Sequence, residues 1–169
     1  MTITQLVTHS GGFHADELLS SVILTRLFPD AKLIRSREAQ QIEPAAGRII
    51  YDVGGMFDAE RGIFDHHQRP NPLRQDGQPY SSFGLIWAHY GRDYLMSFNV
   101  PSRDVDAIHA SFDRGFVLPV DLIDNGAVNP SDAGPIFASL ILPVLLETLK
   151  PVFDDRKDGA DDRAFAAAL

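Results

Sequence analysis

Hydrophobic positions along the chain alternate between two spacings. Residues 3–7, 31–35 and 48–51 are short runs of apolar and β-branched residues that read as strands. From Asp16 onward Leu18, Leu19, Val22, Ile23 and Leu27 recur at helical spacing until Pro29 and Asp30 break the pattern. A short polar helix is expected over 37–43, before Pro44. Met56-Phe57 and Ile63-Phe64 flank a polar, glycine-ended turn and predict a small hairpin. Ser81-Ser82 caps a helix carrying Leu85, Ile86, Trp87 and Tyr90 and ended by Gly91. A second helix runs from Ser102 to about Gly115 with Val105, Ile108 and Phe112 on one face. Residues 116–123 are mostly apolar and end in Asp124-Asn125-Gly126. From Pro135 the positions Ile136, Phe137, Leu140, Ile141, Val144, Leu145 and Leu149 predict an apolar helix interrupted at Pro143, and Ala164 opens a further helix.

Strand, glycine loop and helix in succession describe an α/β fold, a mostly parallel sheet flanked by helices. In such sheets ligands bind where the strands' carboxyl ends meet helix N-termini. Polar residues collect at those ends. The first strand runs into His9-Ser10-Gly11-Gly12-Phe13-His14-Ala15-Asp16-Glu17, the third into Asp52-Val53-Gly54-Gly55, and the hairpin into Asp65-His66-His67-Gln68. The apolar run 116–123 delivers Asp124 into a similar turn.

Composition narrows what these groups can do. With 169 residues, 44% hydrophobic and 22% charged, the chain suits one soluble domain. It is expected to be cytoplasmic, with no stretch apolar enough to span a membrane and no basic signal start. A net charge of -8 disfavours long contact with duplex nucleic acid and leaves a short oligonucleotide or small phosphorylated substrate. The absence of cysteine excludes disulfides, thiolate nucleophiles and Cys-type zinc, so a metal must use His, Asp and Glu.

His9, His14, Asp16, Asp52, Asp65, His66, His67 and Asp124 form a mixed imidazole and carboxylate set that suits Mn²⁺, Fe²⁺, Co²⁺ or Zn²⁺. The number of ligands allows two ions, with Asp52 placed to bridge them. A pair of ions activates water for phosphoryl displacement without a side-chain nucleophile. His67 then donates to a phosphate oxygen or protonates the leaving group. Gly11 and Gly12 let a phosphate or metal approach the backbone. Residues 69–78 read as the candidate mobile loop over the site, its Arg69 and Arg74 either meeting phosphate or simply solvated. His89 reads as a structural or surface histidine and His109 as structural.

Taken together, His9-Ser-Gly-Gly-Phe-His14-Ala-Asp16-Glu17, Tyr51-Asp52-Val53-Gly54-Gly55, Phe64-Asp65-His66-His67-Gln68, Ser81-Ser82-Phe83-Gly84-Leu85-Ile86 and Asp124-Asn125-Gly126 resemble the melanocyte-proliferating-gene exonuclease family. That family looks like a branch of the DHH phosphoesterases. The resemblance implies a DHH-like catalytic domain with two Mn²⁺ ions that cleaves phosphodiesters, in eukaryotic members RNA from its 3′ end. One ion would take His9, His14 and Asp52, the other Asp16, Asp52, His66 and Asp124. His67 would contact the substrate phosphate, and Asp65 would orient the histidines. His14 departs from the Asp that other DHH phosphoesterases use there. Residues 1–150 would form the metal-binding domain and 151–169 an acidic linker and the start of a further helix, without the family's second, substrate-binding domain. Three functions stay open: an exonuclease on RNA or short oligonucleotides, a small-molecule phosphatase or pyrophosphatase, and a metal- or nucleotide-binding module without turnover. A homo-oligomer is compatible with each.

Overall fold

A computed structural model describes residues 2–129, 138–152 and 157–169. The elements run β1 (Gln5–Thr8), α1 (Ala15–Leu27), β2 (Lys32–Arg35), α2 (Ala39–Ile42), β3 (Arg48–Tyr51), β4 (Phe57–Asp58), β5 (Ile63–Phe64), α3 (Ser82–Met96), α4 (Ser102–Phe112), α5 (Leu118–Asp124), α6 (Leu142–Glu147) and α7 (Ala160–Ala168). The five strands lie in the order β2-β1-β3-β5-β4, with every pairing parallel except the β4–β5 hairpin. This is the mostly parallel α/β sheet that the strand–loop–helix pattern predicts. Among the described residues no helix is long and apolar enough to cross a membrane.

Alternation along the short strands divides the sheet into two faces. Leu6, Ile49, Tyr51 and Phe64 face α1, α3 and α5, meeting Leu18, Ile23, Leu24, Phe83, Ile86, Trp87 and Val120 in the main core. Each fully buried Leu, Ile or Phe there contributes roughly 1.5–3 kcal/mol. Val7, Ile50 and Ile63 point to the other face, against Ile34 and Ile42. The Tyr51 hydroxyl meets Ser21 Oγ at 2.6 Å and ties β3 to α1 beneath the site.

Three boundaries depart from the pattern. Helix α3 passes through Gly91, because a Cβ there would lie 2.7 Å from Trp87 and 2.9 Å from the His109 ring. The glycine serves close helix packing rather than termination. Residues 102–124 form one helical ribbon, with a π turn over Asp113–Val117 between α4 and α5, so the apolar run before Asp124 is helical. Pro143 sits in the first turn of α6, where its missing N–H costs nothing, and opens that helix instead of interrupting it. Pro135, Ile136 and Phe137 of the predicted apolar helix, and Asp154, Asp155 and Arg156 of the acidic stretch, lie outside the described residues. Helix α7 begins at Ala160, so Asp161 and Asp162 occupy its first turn, and its Phe165 packs into the main core.

Candidate metal centre

Neighbouring β1 and β3 run parallel while β2 lies on the opposite side of β1, so a crevice opens at the carboxyl ends of β1 and β3. His9 directly follows β1 and Asp52 directly follows β3. The hairpin returns the chain along β5 and sets Asp65-His66-His67 beside Asp52. Asp16 and Glu17 enter from the first turn of α1, and Asp124 from the last residue of α5. Asp52 holds φ at 55°, a region unfavourable for a residue with a Cβ. That conformation turns its carboxylate into the crevice.

Seven side chains from five segments of the chain converge there. His9 Nε2 lies 3.1 Å from Asp52 Oδ2 and 3.0 Å from Glu17 Oε1. On the other side of Asp52, Oδ1 faces His66 Nε2 at 3.4 Å and accepts a hydrogen bond from Ser82 Oγ at 3.2 Å. His66 Nε2 also stands 3.3 Å from Asp124 Oδ2 and 3.8 Å from Asp16 Oδ2. The two oxygens of Asp52 thus face different imidazoles. Donor atoms of His9, His14 and Glu17 lie within 4.8 Å of one another, as do those of Asp16, His66 and Asp124. His14 is exposed at the edge of the crevice.

The charge balance leaves a cation wanting. Burial opposes charge on His9, yet Asp52 and Glu17 outweigh it and push the imidazole up to about 10. Burial likewise works against ionised Asp52, but His66 and His9 hold its carboxyl well below the usual range. Asp16 has no such relief. Burial, reinforced by the Asp52, Asp124 and Glu17 carboxylates, raises it well above its ordinary value, and neither of its oxygens finds a hydrogen-bond donor. Burial also raises Asp124, despite the opposing His66. An almost fully buried carboxylate without a donor is costly by itself. The donor set therefore fits a divalent metal ion, and the cluster can hold one.

Asp65 borders this group, with a donor atom within 4.8 Å of those of Asp52, His66 and His67, but its oxygens are taken up locally. Its Oδ1 accepts from His67 Nδ1 at 2.7 Å and from the His67 amide, while Oδ2 accepts from the Gly55 amide at 2.6 Å. Burial opposes its charge, but these donors lower its carboxyl. The same hydrogen bond raises the exposed His67 imidazole and leaves Nε2 free of it.

These groups border a cleft of about 710 Å³. Gly12 and Arg69 lie on its rim. Gly11 does not: its carbonyl instead accepts from the buried Arg35 at 2.5 Å. Arg74 is the clearest correction, since its guanidinium donates to Asp113 at 2.6 Å and Asp121 at 2.5 Å and is closed off from phosphate. The loop that carries it is tied down as a small hairpin, with Leu73 opposite Pro79 and the Tyr80 amide donating to Pro72 at 3.0 Å. His109 is buried and stacked on Trp87, and exposed His89 packs on Phe64, outside the cleft. Sequence reasoning missed Glu17, to which it gave no role. It also missed Arg37, a cleft residue that donates to the Ser10 carbonyl at 3.2 Å.

Residues 5–169 match the model of an uncharacterised protein family, UPF0160, the MYG1 exonuclease family. The chain is similar to the MYG1 protein YER156C of Saccharomyces cerevisiae, with 38% identity over 97% of this chain and 52% of that protein. It is 34% identical to the human MYG1 exonuclease over 82% of this chain and 40% of that protein. The rat MYG1 exonuclease is 31% identical over 100% of this chain and 47% of its own length. The chain thus spans about half the length of the curated relatives it matches. No solved structure matches it significantly. With the match running through every element of the crevice, the chain belongs to the MYG1 exonuclease family.

Proposed function

We propose that this chain forms the metal-binding half of a phosphodiesterase that cleaves RNA or short oligonucleotides from an end. Its DHH-like centre holds two divalent ions of Mn²⁺ type. The observation that carries this reading is Asp52, whose two oxygens face separate histidines, 3.1 Å from His9 and 3.4 Å from His66. A carboxylate so divided is placed to join two ions. His9, His14 and Asp52 would hold one, and Asp16, Asp52, His66 and Asp124 the other. The name of the human relative, an exonuclease, supports a nucleic-acid substrate.

When bound, such a pair of ions stabilises the attacking and leaving oxygens of a phosphoryl displacement and acidifies water. The chain's own groups supply the rest. His67 keeps its Nδ1 proton on Asp65, so Nε2 is aimed by a fixed carboxylate and can hold a proton against a phosphate oxygen or the leaving group. Gly12 keeps the rim free of side chains, and Arg69 is exposed there to meet phosphate.

The test is metal content together with hydrolysis of a short RNA and of bis-p-nitrophenyl phosphate, with and without Mn²⁺. The expected outcome is two bound ions and Mn²⁺-dependent cleavage. A chain that takes up no divalent metal would overturn the reading.

A further inference from the structure

Glu17 is fully buried, has no arginine or lysine partner among the described residues, and is left without a task by the ligand sets above. A capping role explains part of it, because both its oxygens accept from the His14 amide at 2.8 Å. It does not explain why Oε1 also stands 3.0 Å from His9 Nε2. The opposite ring nitrogen, His9 Nδ1, lies 3.2 Å from the Ser10 carbonyl, which selects the tautomer with its proton on Nδ1. Nε2 then points at two carboxylate oxygens, those of Glu17 and Asp52. In the metal-free chain a proton on Nε2 answers both, and a metal ion taking the place of that proton would meet all three donors at once.

The separations suit a shared ion. Two donors each about 2.1 Å from a metal stand roughly 3 Å apart at a right angle. The observed 3.0 Å and 3.1 Å are such spacings. We propose that Glu17 is an additional ligand of the ion held by His9, so that consecutive acids at the start of α1 serve different ions. Glu17 groups with His9 and His14, and Asp16 with His66 and Asp124, while donor atoms of both also lie within 4.8 Å of Asp52, between the two sets. Successive residues of a helix point about 100° apart, so one N-terminus can divide two carboxylates in this way. The inference rests on the two-ion reading and adds an anionic oxygen to one side of it. That oxygen gives the His9 ion two carboxylates rather than one.

The experiment is Mn²⁺ titration and metal analysis of the full chain beside Glu17→Gln, which keeps an oxygen for the His14 amide while removing the charge. One class of Mn²⁺ should weaken by about 10-fold or more, with the other unchanged. The visible absorption of the Co²⁺-loaded protein should also change, because a ligand is lost. Asp16→Asn should weaken the opposite class. Two ions of unaltered affinity and an unaltered Co²⁺ spectrum in Glu17→Gln would make Glu17 a cap alone and leave the two-ion reading standing. No metal in the parent chain would sink both. Should Glu17→Gln not fold, Glu17→Asp carries the same comparison, since a shortened carboxylate reaches the cap and the ion less well.

Discussion

Asp121 and Asp124 lie one turn apart on α5, and burial raises both carboxyls, Asp121 to about 6, yet the partners that oppose that burial differ in kind. Asp121 is fully buried among donors: Arg74 Nη2 at 2.5 Å, Ser81 Oγ at 2.6 Å and the Gly84 amide at 3.0 Å. It caps α3 from a distance, presenting a carboxylate to the free amides and positive end of that helix. Asp124 meets His66 and shares its surroundings with Asp16 and with Asp52, whose charge repels it. One end of this turn is answered by an arginine, a hydroxyl and a backbone amide, and the other by an imidazole within a group of side chains that can hold a metal ion. On the proposed function, that difference would separate a structural acid from a ligand.

The sharpest way to break that comparison is Asp52→Asn. The variant keeps the shape of the residue that faces both histidines and removes the charge that both ions would share. Cleavage should fall on the order of 10³-fold. Metal analysis should show both ions weakened, whereas loss of activity at full metal occupancy would contradict a bridging role.

The structural end should fail differently. Arg74→Met leaves Asp121 and Asp113 without their cation, and breaking a buried pair in this way costs about 3–5 kcal/mol. Urea unfolding should show that loss. The protein that remains folded should bind Mn²⁺ with the parent stoichiometry, because Arg74 contributes nothing to the cleft.

Asp16→Asn sharpens the contrast by reversing the sign. Removing an unpaired buried charge should raise stability in EDTA by about 1–3 kcal/mol while weakening one class of metal ion. Metal-loaded protein should lose that advantage, since the ion stabilises the parent chain by binding its folded form. Equal stability of parent and variant in EDTA would mean that the Asp16 carboxylate already has a partner.

Why some of this was legible and some was not follows from the range of each interaction. The β1–loop–α1 unit and the β4–β5 hairpin are written in local spacing and turn residues, so His9, Asp52 and His66 could be placed at strand ends from the sequence. Asp124 came correctly to the crevice by a different route, because an apolar run of eight residues does not distinguish strand from helix. Gly91 and Arg74 were misread for one reason. Their partners, His109 for the glycine and Asp113 and Asp121 for the arginine, lie between 18 and 47 residues away in the chain. Glu17 was missed because its contact with His9, from the first turn of α1 back to the end of β1, leaves no mark in local spacing. Local patterns locate backbone turns well, but what a buried charge meets is decided by tertiary packing.

The smallest expected effect comes from His89, an imidazole in the same core-facing helix as Gly84 but outside the crevice. It is exposed, and its ring leans on Phe64 at 5.1 Å and Tyr90 at 4.5 Å. It neighbours the strand that delivers His66, so proximity alone would make it a candidate ligand. His89→Ala should change stability by no more than about 0.5–1 kcal/mol, the loss of an exposed ring contact. Metal content and cleavage should equal the parent's. A variant that lost metal as Asp52→Asn does would show that the site extends along α3. The division between charge answered by protein and charge left for a cation would then have been drawn in the wrong place.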